Sequence, residues 1–248
     1  MILNCKNGKW EEQSSLFEAL GLQKEKQEVL SFTGGGGKTT LIRRLQKELK
    51  AREIMHGVST TTHMQYECEE SFLGESSLES FLKVYRHTGT VWMGEPISKE
   101  KIQGFSREFY QQLIKMGAWL LLEADGAKHL PVKAPEAKEP VILPESTRVC
   151  NVYGLDGVGK PIREGCFRAE RVMEILGKEE HDLLEETDIV RLAASISGGR
   201  KLVGERPYHV ILNKADTVGQ REMAERIGMR ILALGISEVH ITAGLCEG

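Results

Sequence analysis

Cysteine is sparse in this chain and never paired at short range. The five in 248 residues (Cys5, Cys68, Cys150, Cys166, Cys246) form no Cys-x-x-Cys pair. That spacing argues against a zinc site and against a disulfide framework, and leaves buried or idle thiols. Long apolar runs are missing too. No stretch approaches the roughly 18 residues needed to span a bilayer. The opening Met1-Ile2-Leu3-Asn4-Cys5-Lys6 shows no signal-peptide pattern, so cytoplasm is the expected location and a membrane partner is not expected. Neither sign of charge dominates. A net charge of −3 exerts no global pull on nucleic acid or acidic lipid. The basic run Arg43–Arg52 falls on the polar face of a helix and reads as solvated surface.

What remains is an ordinary globule with 40% hydrophobic and 28% charged residues, and one large α/β domain is the default at this length. Glycine is what stands out. Ser31–Thr40 reads Ser-Phe-Thr-Gly-Gly-Gly-Gly-Lys-Thr-Thr, after an apolar run (Val29, Leu30, Phe32) and before a helical pattern (Leu41, Ile42, Leu45, Leu49). Strand, glycine-rich turn, Lys-Thr and helix is the layout of a phosphate-binding loop. Gly34, Gly35, Gly36 and Gly37 free the backbone to point N–H groups inward. The helix start at Thr39 and Thr40 adds its positive end. Lys38 would reach the β- and γ-phosphates, and the Thr39 hydroxyl would hold Mg²⁺. The general pattern begins with Gly where Phe32 stands, and Thr33 occupies the place of a second lysine in the MinD-like branch.

Four later strand ends carry matching chemistry. Ile54–Ser59 runs into Thr60-Thr61-Thr62, and Thr61 and Thr62 are candidates for phosphate, metal or substrate contact at the carboxyl edge of a parallel sheet. The buried run Ala118–Leu122 ends in Glu123-Ala124-Asp125-Gly126. An acid closing a core strand orients Mg²⁺ in phosphoryl-transfer proteins, and either Glu123 or Asp125 fits that role. Tyr208–Leu212 precedes Asn213-Lys214-Ala215-Asp216. In this setting N-K-x-D reads guanine. Asp216 accepts from base N1–H and N2–H₂, the Lys214 stem lies along the base and Asn213 ties the loops together. Ala243, after the strand Glu238–Ile241, is the candidate amide for guanine O6. ATP remains the alternative nucleotide.

Between these motifs lie Lys128, Lys133 and a proline-rich segment (Pro131, Pro135, Pro140) that excludes regular helix. Asp125 and Asn213 are 213 − 125 = 88 positions apart, too far for one crossover. The expected architecture is a P-loop NTPase-like three-layer α/β sandwich with a mostly parallel sheet. Residues 1–27 form an N-terminal appendage and 28–248 the nucleotide-binding domain. A lid or substrate platform is inserted at about 127–205. Residues 65–90 read as an irregular excursion, and Ala169–Leu176, His181–Leu184 and Asp188–Ile196 as helical.

The run Gly34–Thr40, the threonines 60–62, Glu123-Ala124-Asp125-Gly126-Ala127, Lys133-Ala134-Pro135 with Glu139-Pro140, and Asn213–Asp216 together resemble the YqeC-like proteins. These are described as accessory proteins for selenium-dependent molybdenum hydroxylases, or as selenium-cofactor biosynthesis proteins. Where the family pattern has a His-Arg pair, this chain has Phe167-Arg168. The motifs and the resemblance together imply an Mg²⁺-dependent nucleotide-binding and hydrolysing factor, with GTP the nucleotide expected from Asn213–Asp216. It would act on a molybdenum hydroxylase or its cofactor, with Lys38, Glu123 and Asp125 at the reacting phosphate. Two other classes stay open. One is an ATP-dependent small-molecule phosphotransferase or ligase that holds an anionic acceptor through Lys128 and Lys133. The other is a nucleotide-gated binding module with negligible turnover.

Overall fold

The computed structural model describes residues 1–6, 8–66 and 69–244. Cys68 and Cys246 lie outside them. In chain order the elements are β1 (Ile2–Lys6), β2 (Lys9–Glu12), α1 (Leu16–Ala19), β3 (Val29–Gly34), α2 (Lys38–Ala51), β4 (His56–Thr60), β5 (His63–Gln65), β6 (Phe72–Leu73), α3 (Leu78–Thr88), β7 (Val91–Met93), β8 (Glu95–Pro96), β9 (Lys101–Gln103), α4 (Arg107–Lys115) and β10 (Trp119–Glu123). There follow β11 (Val132–Lys133), β12 (Arg148–Gly154), a 3-10 turn (Leu155–Gly157), α5 (Ile162–Gly165), β13 (Cys166–Phe167), α6 (Ala169–Leu176), α7 (Glu186–Ala194), β14 (Tyr208–Asn213), α8 (Val218–Ala233) and β15 (Glu238–Thr242).

Among the described residues ten strands form one sheet, in the order β2-β1-β15-β14-β12-β3-β10-β4-β7-β6. Only β1 runs against the others, pairing antiparallel with β15 and β2, and every other pairing is parallel. The continuous apolar run of β10 follows from burial on both faces. Its Trp119 and Leu121 pack with Leu41, Ile42, Leu45 and Leu49 of α2. Leu120 and Leu122 face Phe109, Tyr110 and Leu113 of α4. The second face continues under α6, α7 and α8 around Tyr153, Val210 and Leu212. This is the expected α/β sandwich: helices on both sides of a mostly parallel sheet.

Four expectations need correction. Residues 1–27 are no appendage. Strand β1 pairs antiparallel with β15 (Ile2 opposite Thr242) and extends the main sheet. Phe17 of α1 stacks on Trp119 at 6.1 Å between ring centroids. Residues 127–205 are not one continuous insertion either. Strand β12 returns through them to lie between β3 and β14. Residues 65–90 carry β6 and α3, and His181–Leu184 is not helical. Helix α3 was hidden because its face is narrow: Phe81 is its one buried side chain. Its signals are a Ser77 cap, whose hydroxyl accepts from the Ser80 N–H, and a left-handed Gly89 at the end.

A buried polar chain fastens β1 to the sheet. Arg148 donates to His209 Nε2 at 3.3 Å, and His209 Nδ1 lies 2.9 Å from His240 Nε2. His240 Nδ1 lies 2.7 Å from Asn4 Oδ1, while Asn4 Nδ2 donates to the Ala19 carbonyl at 2.7 Å. The arginine can only donate, so every link points one way and both imidazoles are neutral. Burial holds both histidines below their usual range, His209 at about 4. His209, Glu238 and His240 bring ligand-type atoms within 4.8 Å of one another. All four ring nitrogens are already engaged, however, and a guanidinium abuts the pair, so the cluster serves as a structural clasp.

Candidate nucleotide site

The parallel sheet places its chemistry on one edge. The loop after β3, Glu123 at the end of β10, Asn213 at the end of β14 and Thr242 at the end of β15 all lie at strand carboxyl ends. Ligands of open α/β sheets bind at that edge, where connections leave in opposite directions. Here β3 is such a point, with β10 on one side and β12 on the other.

The loop needs its glycines. Gly36 has φ +69° and a Cβ there would lie 2.1 Å from the Gly154 nitrogen; Gly34 has φ +89° and a Cβ would lie 2.4 Å from the Val152 carbonyl oxygen. No other residue type fits both constraints. Gly37 caps α2 in the left-handed region, and the first turn opens with Lys38, Thr39 and Thr40. Its N–H groups face the edge as a positively polarised helix end.

Lys38 is buried and folds back over the loop. Its Nζ donates to the Gly34 carbonyl at 2.5 Å, and lies 3.1 Å from Asp125 Oδ1 and 3.8 Å from Glu123 Oε1. Burial alone would lower its ammonium, but the two carboxylates more than offset that and hold it above the ordinary lysine range. The structure also separates the two acids that the sequence left equivalent. Glu123 accepts from the Thr39 hydroxyl at 2.9 Å. Asp125 faces the cations and accepts from the Gly34 N–H at 3.1 Å. Burial pushes the Glu123 carboxyl up, against the pull of Lys38 and Thr39.

Asn213 ties the loops together as the sequence suggested. Its Nδ2 donates to the Gly36 carbonyl at 2.7 Å and its Oδ1 accepts from Thr242 at 2.8 Å. Lys214, at φ +66°, pairs with Asp156 at 2.9 Å. Asp216 is exposed; one oxygen accepts from the Gly244 N–H at 2.6 Å and the other has no hydrogen bond among the described residues. Ala243 does not match its expected part: its N–H donates to the Met1 carbonyl at 3.3 Å and is not free for a base oxygen. The hairpin at the sheet edge, unforeseen in the sequence, is the cause.

Among the described residues the threonines at the end of β4 make no hydrogen bond to the loop. Thr60 Oγ1 donates to the Glu123 carbonyl at 2.8 Å and Thr61 Oγ1 to the Val141 carbonyl at 2.6 Å. Thr62 bonds through its N–H to Thr60 Oγ1 at 3.0 Å. They fasten the segment after β10 to the sheet. Lys133 lies deeper than expected, with its side chain fully buried, 2.7 Å from Glu139 and 3.4 Å from Asp125. Lys128 is exposed and lies 5.4 Å from the Phe167 ring centroid, with Arg168 at 4.7 Å. Sequence reasoning missed Asp156, which sits in the Leu-Asp-Gly turn after β12. Its position at a strand end was the available signal. The Cys150 and Cys166 thiols are buried and pushed up to about 12, so they carry no chemistry at neutral pH.

A family model described as "YqeC protein" matches residues 30–170. A curated relative, the uncharacterized protein YqeC of Escherichia coli (strain K12), is 31% identical over 202 residues, covering 77% of this chain and 76% of its own. No solved structure matches. The matched span contains the glycine-rich loop, Glu123, Asp125 and Lys133, and ends before Asn213. The chain belongs to the YqeC family.

Proposed function

From that membership and this edge of the sheet, we propose that the chain binds a nucleoside triphosphate with Mg²⁺, guanine being the preferred base. It would act as an accessory factor in maturing a selenium-dependent molybdenum hydroxylase or its cofactor. One observation carries the nucleotide part. The hydroxyl of Thr39, next to the loop lysine, meets the carboxylate of Glu123 from the neighbouring parallel strand at 2.9 Å. A hydroxyl and a carboxylate at the start of a phosphate-facing helix are the protein oxygens a Mg²⁺ ion takes while keeping most of its waters. Glu123, not Asp125, is the acid on that side.

Bound there, Mg²⁺ would neutralise charge on the outer phosphates. The residues do the rest by position. Lys38 turns from the Gly34 carbonyl to the phosphates, and the helix-start amides take their oxygens. Asn213 couples the phosphate loop to the base loop through Gly36. Asp216 offers an exposed carboxylate to a base with two adjacent donors, which guanine has and adenine lacks. The client half of the proposal rests on the family resemblance alone.

Glu123→Gln tests the metal side. Wild type binds triphosphate more tightly in Mg²⁺ than in EDTA, and the variant loses most of that difference, about tenfold for one charge-assisted contact. Titration in both buffers reads it. An unchanged Mg²⁺ dependence contradicts the role given to Glu123.

A further inference from the structure

The Asp125 carboxylate is held as a bound anion would be. The Gly34 N–H donates to Oδ2 at 3.1 Å. Lys38 Nζ lies 3.1 Å from Oδ1 and Lys133 Nζ lies 3.4 Å from Oδ2. Asp125 is only 2% exposed, and Oδ1 has no hydrogen bond of good geometry. A glycine-loop amide and two ammonium groups converging on one small anion is a donor set suited to a phosphoryl oxygen. Lys133 does not depend on Asp125 for its place. It also donates to the Gly126 carbonyl at 2.6 Å and pairs with Glu139 at 2.7 Å. Its strand β11 is held in parallel register by β13.

Strand order says which phosphate belongs there. The base motif ends β14, and the order from it runs β14, β12, β3, β10. A nucleotide with its base at Asp216 and its inner phosphates at the loop after β3 extends its last phosphate toward the end of β10. Asp125 and Lys133 meet there.

Resting on the nucleotide reading above, we infer that Lys133 is a second phosphate-binding lysine, specific for the terminal phosphoryl group, and that Asp125 fills that subsite until a triphosphate displaces it. A phosphoryl group beside an ionised Asp125 would repel it at short range, so the carboxylate turns away as the phosphate enters. The diphosphate ends before this subsite and leaves Asp125 in place. The subsite thus distinguishes triphosphate from diphosphate, using a lysine 133 − 38 = 95 positions beyond the loop lysine.

The test is equilibrium binding of Mg²⁺ with a non-hydrolysable GTP analogue, and of GDP, to wild type, Lys133→Met and Asp125→Asn. An ATP analogue and ADP serve instead where adenine is the base bound. Lys133→Met weakens the triphosphate at least about tenfold, as loss of one charged hydrogen bond does. It leaves the diphosphate within about twofold, since no contact to it is removed. Asp125→Asn tightens the triphosphate. A gain in one variant beside a ligand-selective loss in the other is not what misfolding produces. Equal loss of both ligands in Lys133→Met, no loss at all, or weaker triphosphate binding by Asp125→Asn each overturns the inference. If Lys38→Ala abolishes binding while Lys133→Met changes nothing, only this inference fails. If folded wild type binds neither nucleotide, the nucleotide reading fails and takes this one with it.

Discussion

Lys38→Ala weakens triphosphate binding at least about 100-fold, a loss of about 2.7 kcal/mol, and destabilises the fold by about 2–4 kcal/mol near neutral pH through the carboxylates left behind. Both effects have one source. The ammonium is the shared partner of Glu123 and Asp125, and all three are buried. Without it, Glu123 stays buried beside Asp125 with only Thr39 and the more distant Lys133 to favour its charge. Its carboxyl, already raised by burial, rises further. An acid raised in the folded state contributes stability below its unfolded value and loses it as pH rises through the folded value. The gap between variant and wild type therefore narrows as pH falls toward 5. Calorimetric titration gives the binding loss, and urea unfolding at several pH values gives the stability pattern. A gap that is constant with pH contradicts the shared-cation account.

The second large effect is acid destabilisation through the histidine clasp. Free histidine titrates near pH 6.5, whereas folded His209 stays neutral until about 4 and burial holds His240 well below its usual range. Burial is the main cause for both, with Arg148 adding to it at His209 and His209 at His240. Groups depressed in this way contribute stability above the unfolded value and lose it as pH falls toward the folded one. His209 alone accounts for a loss on the order of 3 kcal/mol between pH 6.5 and 4. The other charged groups near the pair are Arg148, its partner Glu28 at 3.0 Å, and exposed Glu238. Carboxylates that Arg contacts hold low act in a later window. Glu145, held at about 2 by Arg107, loses its contribution only below about pH 4.5. Urea midpoints between pH 7 and 5 should fall steeply for wild type and much less for the His209→Gln, His240→Gln double variant. Equal slopes would remove the clasp from the account.

The parts of this molecule legible in its sequence are local ones. Four glycines before Lys-Thr need no partner to declare a loop, and a strand ending in an acid declares itself by the apolar run before it. The bond from Asn213 to the loop was legible because its motif prescribes it. Partnerships across the sheet edge were not. Nothing in Ile2–Lys6 says that it will lie against β15, and that pairing takes the Ala243 amide. Glu123 and Asp125 are two residues apart on one strand end, and only the fold shows one turned to Thr39 and the other to two lysines. Lys133 fell in the proposed lid because it stands in a proline-rich segment between the motifs. Its burial comes from Asp125, Gly126 and Glu139, which the fold brings around its ammonium.

The central claim is that this edge of the sheet binds a guanine nucleotide. Titration of wild type with Mg²⁺ and non-hydrolysable GTP and ATP analogues, repeated with Asp216→Ala, tests it most directly. The account predicts tighter binding of the guanine analogue, and a variant that loses this preference while still binding both analogues through the phosphate loop. Equal or tighter binding of the adenine analogue by wild type, or a guanine preference that survives Asp216→Ala, would contradict it.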